Sequence, residues 1–303
     1  MKVFGLNILL LVIFFSSFGQ SAADSLLLKL PQLSGSERTE ALVQLSLAYA
    51  RIDSTRSLSY ADEAIDLATS AGDSLHLAMA VYNQGECRYF FDAYERALQN
   101  YELACTIFEQ LGDSAMLGDT HNAIGLVHYY TGEYNLAATH FYKSLGYLAK
   151  DPLSEEVAHV YSNLGLVFLK IGEPQRAIHN FRHAAGINTQ IQDSSSLAVN
   201  FNGLGISFFN MEQFDSSKVY YNKALHLFRQ LENHQREAIV LHNIATIYVN
   251  TGDSLQQALN WYEQTIEVFD ALGDLRSKAH ALDGLGGVHR ELKNYKKAVA
   301  AFQ

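Results

Sequence analysis

Two histidines four residues apart, His179 and His183, have the spacing that lets two imidazoles on one helix face share a metal ion. The hydrolase form of that motif also needs a glutamate between them, and residues 180–182 read Asn, Phe, Arg. The pair falls on the outward side of its helix, so a solvated pair is the simpler reading. Gly203-Leu204-Gly205 and Gly284-Leu285-Gly286-Gly287 look like fragments of phosphate-binding loops, which turn a strand into a helix N-terminus. Neither run follows a strand or opens a helix, so both are assigned to packing. Acidic residues are scattered, and no two carboxylates stand out as a general acid and base. No enzyme activity, metal or cofactor is expected.

Cys87 and Cys105 are the two cysteines of a 303-residue chain. They are too few for a disulfide framework, and their spacing sets them on different helices, so whether they pair stays open. The formal charge is −10, and no run of Lys and Arg exceeds a dipeptide. Nucleic acid is therefore excluded as a partner, because phosphate neutralisation needs clustered cations. Three prolines in the whole chain favour helices over a loop-rich sheet protein.

The chain starts with Lys2, an apolar stretch through Phe15, and small residues at Ser21 and Ala23. This describes a secretory signal over residues 1–23, cleaved before Asp24 or after Gly19, with an uncleaved anchor as the alternative. Either form exports the remainder to the periplasm or the cell exterior. Residues 24–37 then read as a lead-in.

What could position binding residues is a repeat. Gly85, Gly125, Gly165 and Gly205 recur every forty residues, Ala245 continues the series, and Gly286 comes one residue late. Around each lies one helical pattern, as in Ser162-Asn163-Leu164-Gly165-Leu166-Val167-Phe168. A glycine inside a helix costs about 1 kcal/mol against alanine, so its recurrence implies close approach of a second helix. That helix follows in each unit, with Ala137, Phe141 and Ser144 in one and Ala177, Phe181 and Ala184 in the next. The short turn between the two makes them antiparallel. Gly72-Asp73, Gly112-Asp113 and Gly273-Asp274 punctuate the units, glycine ending one helix and aspartate capping the next.

On these residues the chain resembles the tetratricopeptide repeat family, in a forty-residue variant. The best match is Tyr161, Leu164, Gly165, Phe168, Ala177, Phe181 and Ala184, while Gln84 and Arg88 depart from the pattern. The resemblance implies an all-α fold, a right-handed superhelical solenoid of about seven helical hairpins over residues 38–303. Its units lie near 38–73, 74–113, 114–153, 154–193, 194–233, 234–274 and 275–303, the last incomplete. It further implies a protein–protein interaction scaffold whose first helices line a groove for a peptide or partner protein. Carried over by position, the groove residues are Tyr82, Glu86, Tyr89, Phe90, Asp119, Asn122, Tyr129, Tyr130, Asn163, Asn202, Phe209 and Asn243. Tyr and Phe would act as anchors, and Asn would hold a peptide backbone. His121, His128 and His289 take packing places. The chain stops inside a second helix without a polar cap, which admits a competing reading. In that reading it is the exported sensory input of a longer membrane signalling protein, such as a histidine kinase, cyclase or transcription regulator.

Overall fold

The computed structural model describes residues 18–303, with side chains from Ala23 onward. Most of the segment read as a secretory signal therefore lies outside the described residues. A lead helix, α1 (Phe18–Lys29), and a 3-10 turn at Leu30–Gln32 precede the hairpins. Three hairpins follow in a first run, up to Pro152: α2 (Gly35–Tyr49) with α3 (Ser54–Ala71), α4 (Ser74–Phe90) with α5 (Tyr94–Leu111), and α6 (Ser114–Tyr130) with α7 (Tyr134–Tyr147). The second run, from Leu153, has four: α8 (Glu155–Lys170) with α9 (Pro174–Gln190), α10 (Ser194–Asn210) with α11 (Phe214–Gln230), α12 (His234–Thr251) with α13 (Leu255–Ala271), and α14 (Leu275–Glu291) with α15 (Tyr295–Phe302). No strand occurs among the described residues. The fold is all-α, a solenoid of antiparallel hairpins.

The recurrent glycines sit where the second helix comes closest. A Cβ built on Gly165 would fall 2.6 Å from the Phe181 ring, and one on Gly205 would fall 2.4 Å from Tyr221. Gly203, at the start of the next hairpin's pattern, would put its Cβ 2.7 Å from the other side of Phe181. Each such ring thus packs its own hairpin together, and Phe181 joins two successive hairpins as well. Helix starts are capped as expected: Asp73 Oδ1 accepts from the amide of His76 at 3.1 Å, and Asp113 Oδ1 from that of Met116 at 3.1 Å. Asp73 is held below the usual carboxylate range chiefly by its backbone hydrogen bond, which favours the ionised form. Left-handed residues end several helices. Gly112 has φ 69°, whereas Gln192 holds φ 61° with a side chain in place.

Within each run, first helices touch their successors (α2 with α4, α4 with α6; α8 with α10, α10 with α12, α12 with α14), while second helices stand farther from theirs. The first-helix side is therefore the inner side of each run.

Three local departures from the repeat have physical reasons. Gln84 and Arg88, unusual at packing places, belong to a polar network. Gln84 Nε2 donates to Asp62 Oδ1 at 2.6 Å, Asn100 Nδ2 donates to Gln84 Oε1 at 2.6 Å, and Arg88 donates to Asn100 Oδ1. The second departure is Asn188, which stands where other hairpins bury Phe108, Leu148, Phe228 or Phe269. It is wholly buried, and neither atom of its amide has a partner. A buried unpaired amide costs about 1–3 kcal/mol. Asn188→Leu is expected to stabilise the protein by about 1–2 kcal/mol, read as a higher urea midpoint with unchanged slope. A lower midpoint would mean that the amide has a partner after all.

The third departure is a histidine layer in the α6–α7 hairpin. His121, His128 and His140 occupy the places that Phe201, Phe208 and Tyr220 take two repeats later. The ring centroids of His121 and His140 are 5.2 Å apart, and those of His128 and His140 5.4 Å apart. His121 Nδ1 lies 3.2 Å from His140 Nδ1, Tyr147 stacks on His121, and His128 Nδ1 lies 2.7 Å from Glu133 Oε2. Burial, then the neighbouring His121, Lys143 and His128, bring His140 down to about 4. Burial and Lys143 also lower His121, against an opposing pull from Glu109.

Candidate peptide-binding surface

The residues assigned to the groove all lie on first helices, but in three different settings. In the first run, Tyr82 and Glu86 are one turn apart on α4, and Asp119 and Asn122 follow on α6; all four are half-buried. Glu86 Oε1 accepts the Tyr101 hydroxyl at 2.6 Å, and the Tyr82 and Tyr101 rings pack 5.5 Å apart. Burial pushes the Glu86 carboxyl up, while the hydrogen bonds from Tyr101 and Tyr82 and the charge of Arg51 pull it back. Burial, together with the charges of Glu86 and Asp119, holds the Tyr82 phenol protonated. This is an acidic patch framed by phenols, with the Arg51 guanidinium at its margin, 4.2 Å over the Phe90 ring.

Tyr89, Phe90, Tyr129 and Tyr130 come from the last turns of α4 and α6, beside the hairpin turns. They form a ladder of rings: Phe90 to Tyr89 at 5.3 Å, Tyr89 to Tyr130 at 5.8 Å and Tyr130 to Tyr129 at 5.4 Å. Tyr94, at the start of α5, stacks on Tyr130 at 6.3 Å. Within this ladder Tyr89 is buried at 8% exposure, whereas Tyr130 is 42% exposed. Tyr89 therefore joins neighbouring hairpins, and Tyr130 is the ring offered to solvent.

In the second run, Asn163 and Phe209 are half-buried, and Phe209 meets Phe214 of its own hairpin at 5.6 Å. Asn202 and Asn243 are 4% and 3% exposed, and Asn243 Nδ2 donates to Asn202 Oδ1 at 3.1 Å. The sequence reading placed both on an open surface. They are instead consumed in joining α10 to α12, because successive first helices approach too closely to leave a gap there.

Sequence reasoning passed over Arg51, Tyr94 and Tyr101. Arg51 lies in the turn between α2 and α3, outside any first helix, and Tyr101 stands at the packing place of Phe141 and Phe181, which hid its hydroxyl. The remaining sharp features sit elsewhere. His179 and His183 are exposed, in edge contact at 4.5 Å, with Tyr161 stacked on His183. His121 and His289 are buried. Cys87 and Cys105 are buried free thiols, and burial pushes the Cys105 thiol up to about 11.

A tetratricopeptide repeat model matches residues 116–190, 196–271 and 238–303, more than half of the sequence. The chain belongs to the tetratricopeptide repeat family. It is similar to the regulatory protein RapG of Bacillus subtilis (strain 168), with 24% identity over 144 residues, which are 47% of this chain and 39% of RapG. The chain thus matches well under half the length of that relative. Among solved structures, the apo form of the quorum sensor NprR from B. thuringiensis has a TM-score of 0.73 at 14% identity, covering 94% of this chain and 80% of NprR. A Rap protein in complex with competence and sporulation factor has a TM-score of 0.62 at 13% identity, covering 94% and 90%. At these identities the two structures speak for the fold alone. For a tetratricopeptide repeat chain, the hairpins are a scaffold that presents side chains.

Proposed function

We propose that the chain binds a peptide or an extended segment of a partner protein, using the first-helix face of the run that ends at Pro152. The observation that carries this reading is the patch around Glu86: a half-buried carboxylate between two tyrosines, flanked by an exposed aromatic, Tyr130. A repeat fold has no need of an acid in that place, since two other hairpins put Leu166 and Ile206 one residue after the recurrent glycine. Acidic and aromatic groups side by side favour a segment bearing basic and apolar side chains. RapG is a regulatory protein and the similar Rap structure holds a bound factor, which agrees with this reading. The apolar residues at the start of the chain support export of the mature protein, and N-terminal sequencing of the secreted form tests that part.

The binding test is capture from an envelope extract by the wild-type chain and by Tyr130→Ala. Truncating an exposed anchor tyrosine is expected to weaken the retained polypeptide by about tenfold, with a smaller loss of melting midpoint than Tyr89→Ala causes. Equal retention by both proteins counts against this face. The Tyr89→Ala variant is a poor probe, because Tyr89 is buried between hairpins and its loss would lower stability as well.

A further inference from the structure

A second chemistry is assembled at the joint between the α8–α9 and α10–α11 hairpins. Glu155 and His159, one turn apart on α8, converge with Asp193, the residue that caps α10; one ligand atom from each lies within 4.8 Å of the other two. We propose that these three side chains form a binding site for a divalent transition-metal ion of the zinc class, bridging successive hairpins.

The case rests on donor geometry and on how each donor is held. The Asp193 carboxylate is fixed by its capping role: Oδ1 accepts the amides of Ser195 and Ser196, each at 3.0 Å, and takes no further bond there. Its second oxygen, Oδ2, takes no part in those capping bonds. Anchoring one oxygen while the other faces a metal is how outer-shell bonds orient a ligand. His159 Nε2 stands 3.7 Å from Glu155 Oε1, too far for a hydrogen bond and within range for two ligands of one ion. The three atoms need only small side-chain shifts to reach bonding distances of about 2.0–2.2 Å from a common centre.

The same places in other hairpins do not make this set. Asp113 and Asp274 also cap helices, but the residues corresponding to Glu155 and His159 are there Leu75 with Met79 and Gln235 with Ile239. The capping aspartate is thus a recurring structural device, and the glutamate and histidine are particular to this joint. An imidazole among the donors favours zinc, cobalt or nickel over magnesium or calcium, which prefer oxygen alone. The positive ends of α8 and α10 lie beside the site and oppose any cation, so the imidazole contact is essential to affinity. Because the ligands come from two hairpins, a bound ion would join α8 to α10.

The test titrates the full chain with zinc chloride, and with cobalt chloride for its absorption spectrum. One saturable site per chain and a higher melting midpoint with zinc are expected. His159→Gln should lose at least about tenfold in affinity together with the cobalt band. Asp193→Asn keeps a capping side chain while removing the charge, and should also weaken binding with little change in the metal-free melting point. His179→Gln with His183→Gln, and separately His121→Gln with His140→Gln, remove the other imidazole pairs and should leave the site intact. No zinc binding by the wild type, or the same affinity in His159→Gln and Asp193→Asn as in the wild type, overturns the proposal. So does loss of the site in either double histidine control. Should His159→Gln fail to fold, Glu155→Gln, at an exposed position of α8, supplies the same comparison.

Discussion

Replacing Phe181 by alanine is expected to destabilise the protein by about 3–5 kcal/mol, the largest effect of any single truncation proposed. The ring is 1% exposed and touches both Gly165 of its own hairpin and Gly203 of the next. Removing it opens a cavity against two helices at once, and Gly165 and Gly203 have no side chain to move into the space. The mechanism carries its own control. In the wild type, Gly203→Ala should cost about 1–3 kcal/mol because the added Cβ meets the ring, and this outweighs the better helix propensity of alanine. In the Phe181→Ala background the same Gly203→Ala change should become neutral or stabilising, since the obstacle is gone. Urea unfolding of the four proteins gives the coupling. An additive result would show that the ring and the glycine do not constrain one another.

The second large effect is on acid stability. His140 titrates near 4 in the folded chain and His121 is also lowered, so both imidazoles bind protons more readily once the chain unfolds. The contribution of neutral His140 to stability is fully present above the ordinary imidazole value near 6.5. It falls away as pH drops from there towards 4, because the unfolded chain takes up the proton first. His140 is half-buried, so solvent screening limits the loss to about 2 kcal/mol over that interval. His140→Phe restores the aromatic type found at Tyr220 and should flatten the profile between pH 7 and pH 4. An unchanged slope would place the acid sensitivity elsewhere. Glu109, Glu133 and Lys143 surround the layer and are the same in both proteins, so the comparison isolates the imidazole.

The hairpins and their internal contacts were legible because they rest on a local rule. A small residue opposite a large one at fixed spacing says which faces meet, and Gly165 with Phe181 or Gly205 with Tyr221 obey it. Helix starts were legible for the same reason, since the capping aspartate and its amide partner are three residues apart, as in Asp73 and His76. The binding surface was less so. Periodicity assigns Asn202 and Asn243 to one side of a helix, but it does not report how near the next first helix comes. That distance turned two amides into each other's partner and buried Tyr89. Nor does a position in a repeat reveal a hydroxyl's target: Tyr101 matches the pattern as a packing ring, and its bond to Glu86 exists only once α4 and α5 are brought together. Asp193 follows Gln192 and not the glycine that precedes Asp73, Asp113 and Asp274, and Glu155 and His159 reach it from another hairpin, so the sequence did not single it out.

Within each run, helices meet their sequence neighbours, and first helices also meet the next helix but one. No contact there has to wait for a distant part of the chain to arrive, so the loops closed on the way to the folded state are short. Chains with such local contact maps fold quickly, and each hairpin can dock as soon as its predecessor offers a surface. Growth can therefore proceed in the order of synthesis, and an interrupted chain would leave the completed hairpins folded.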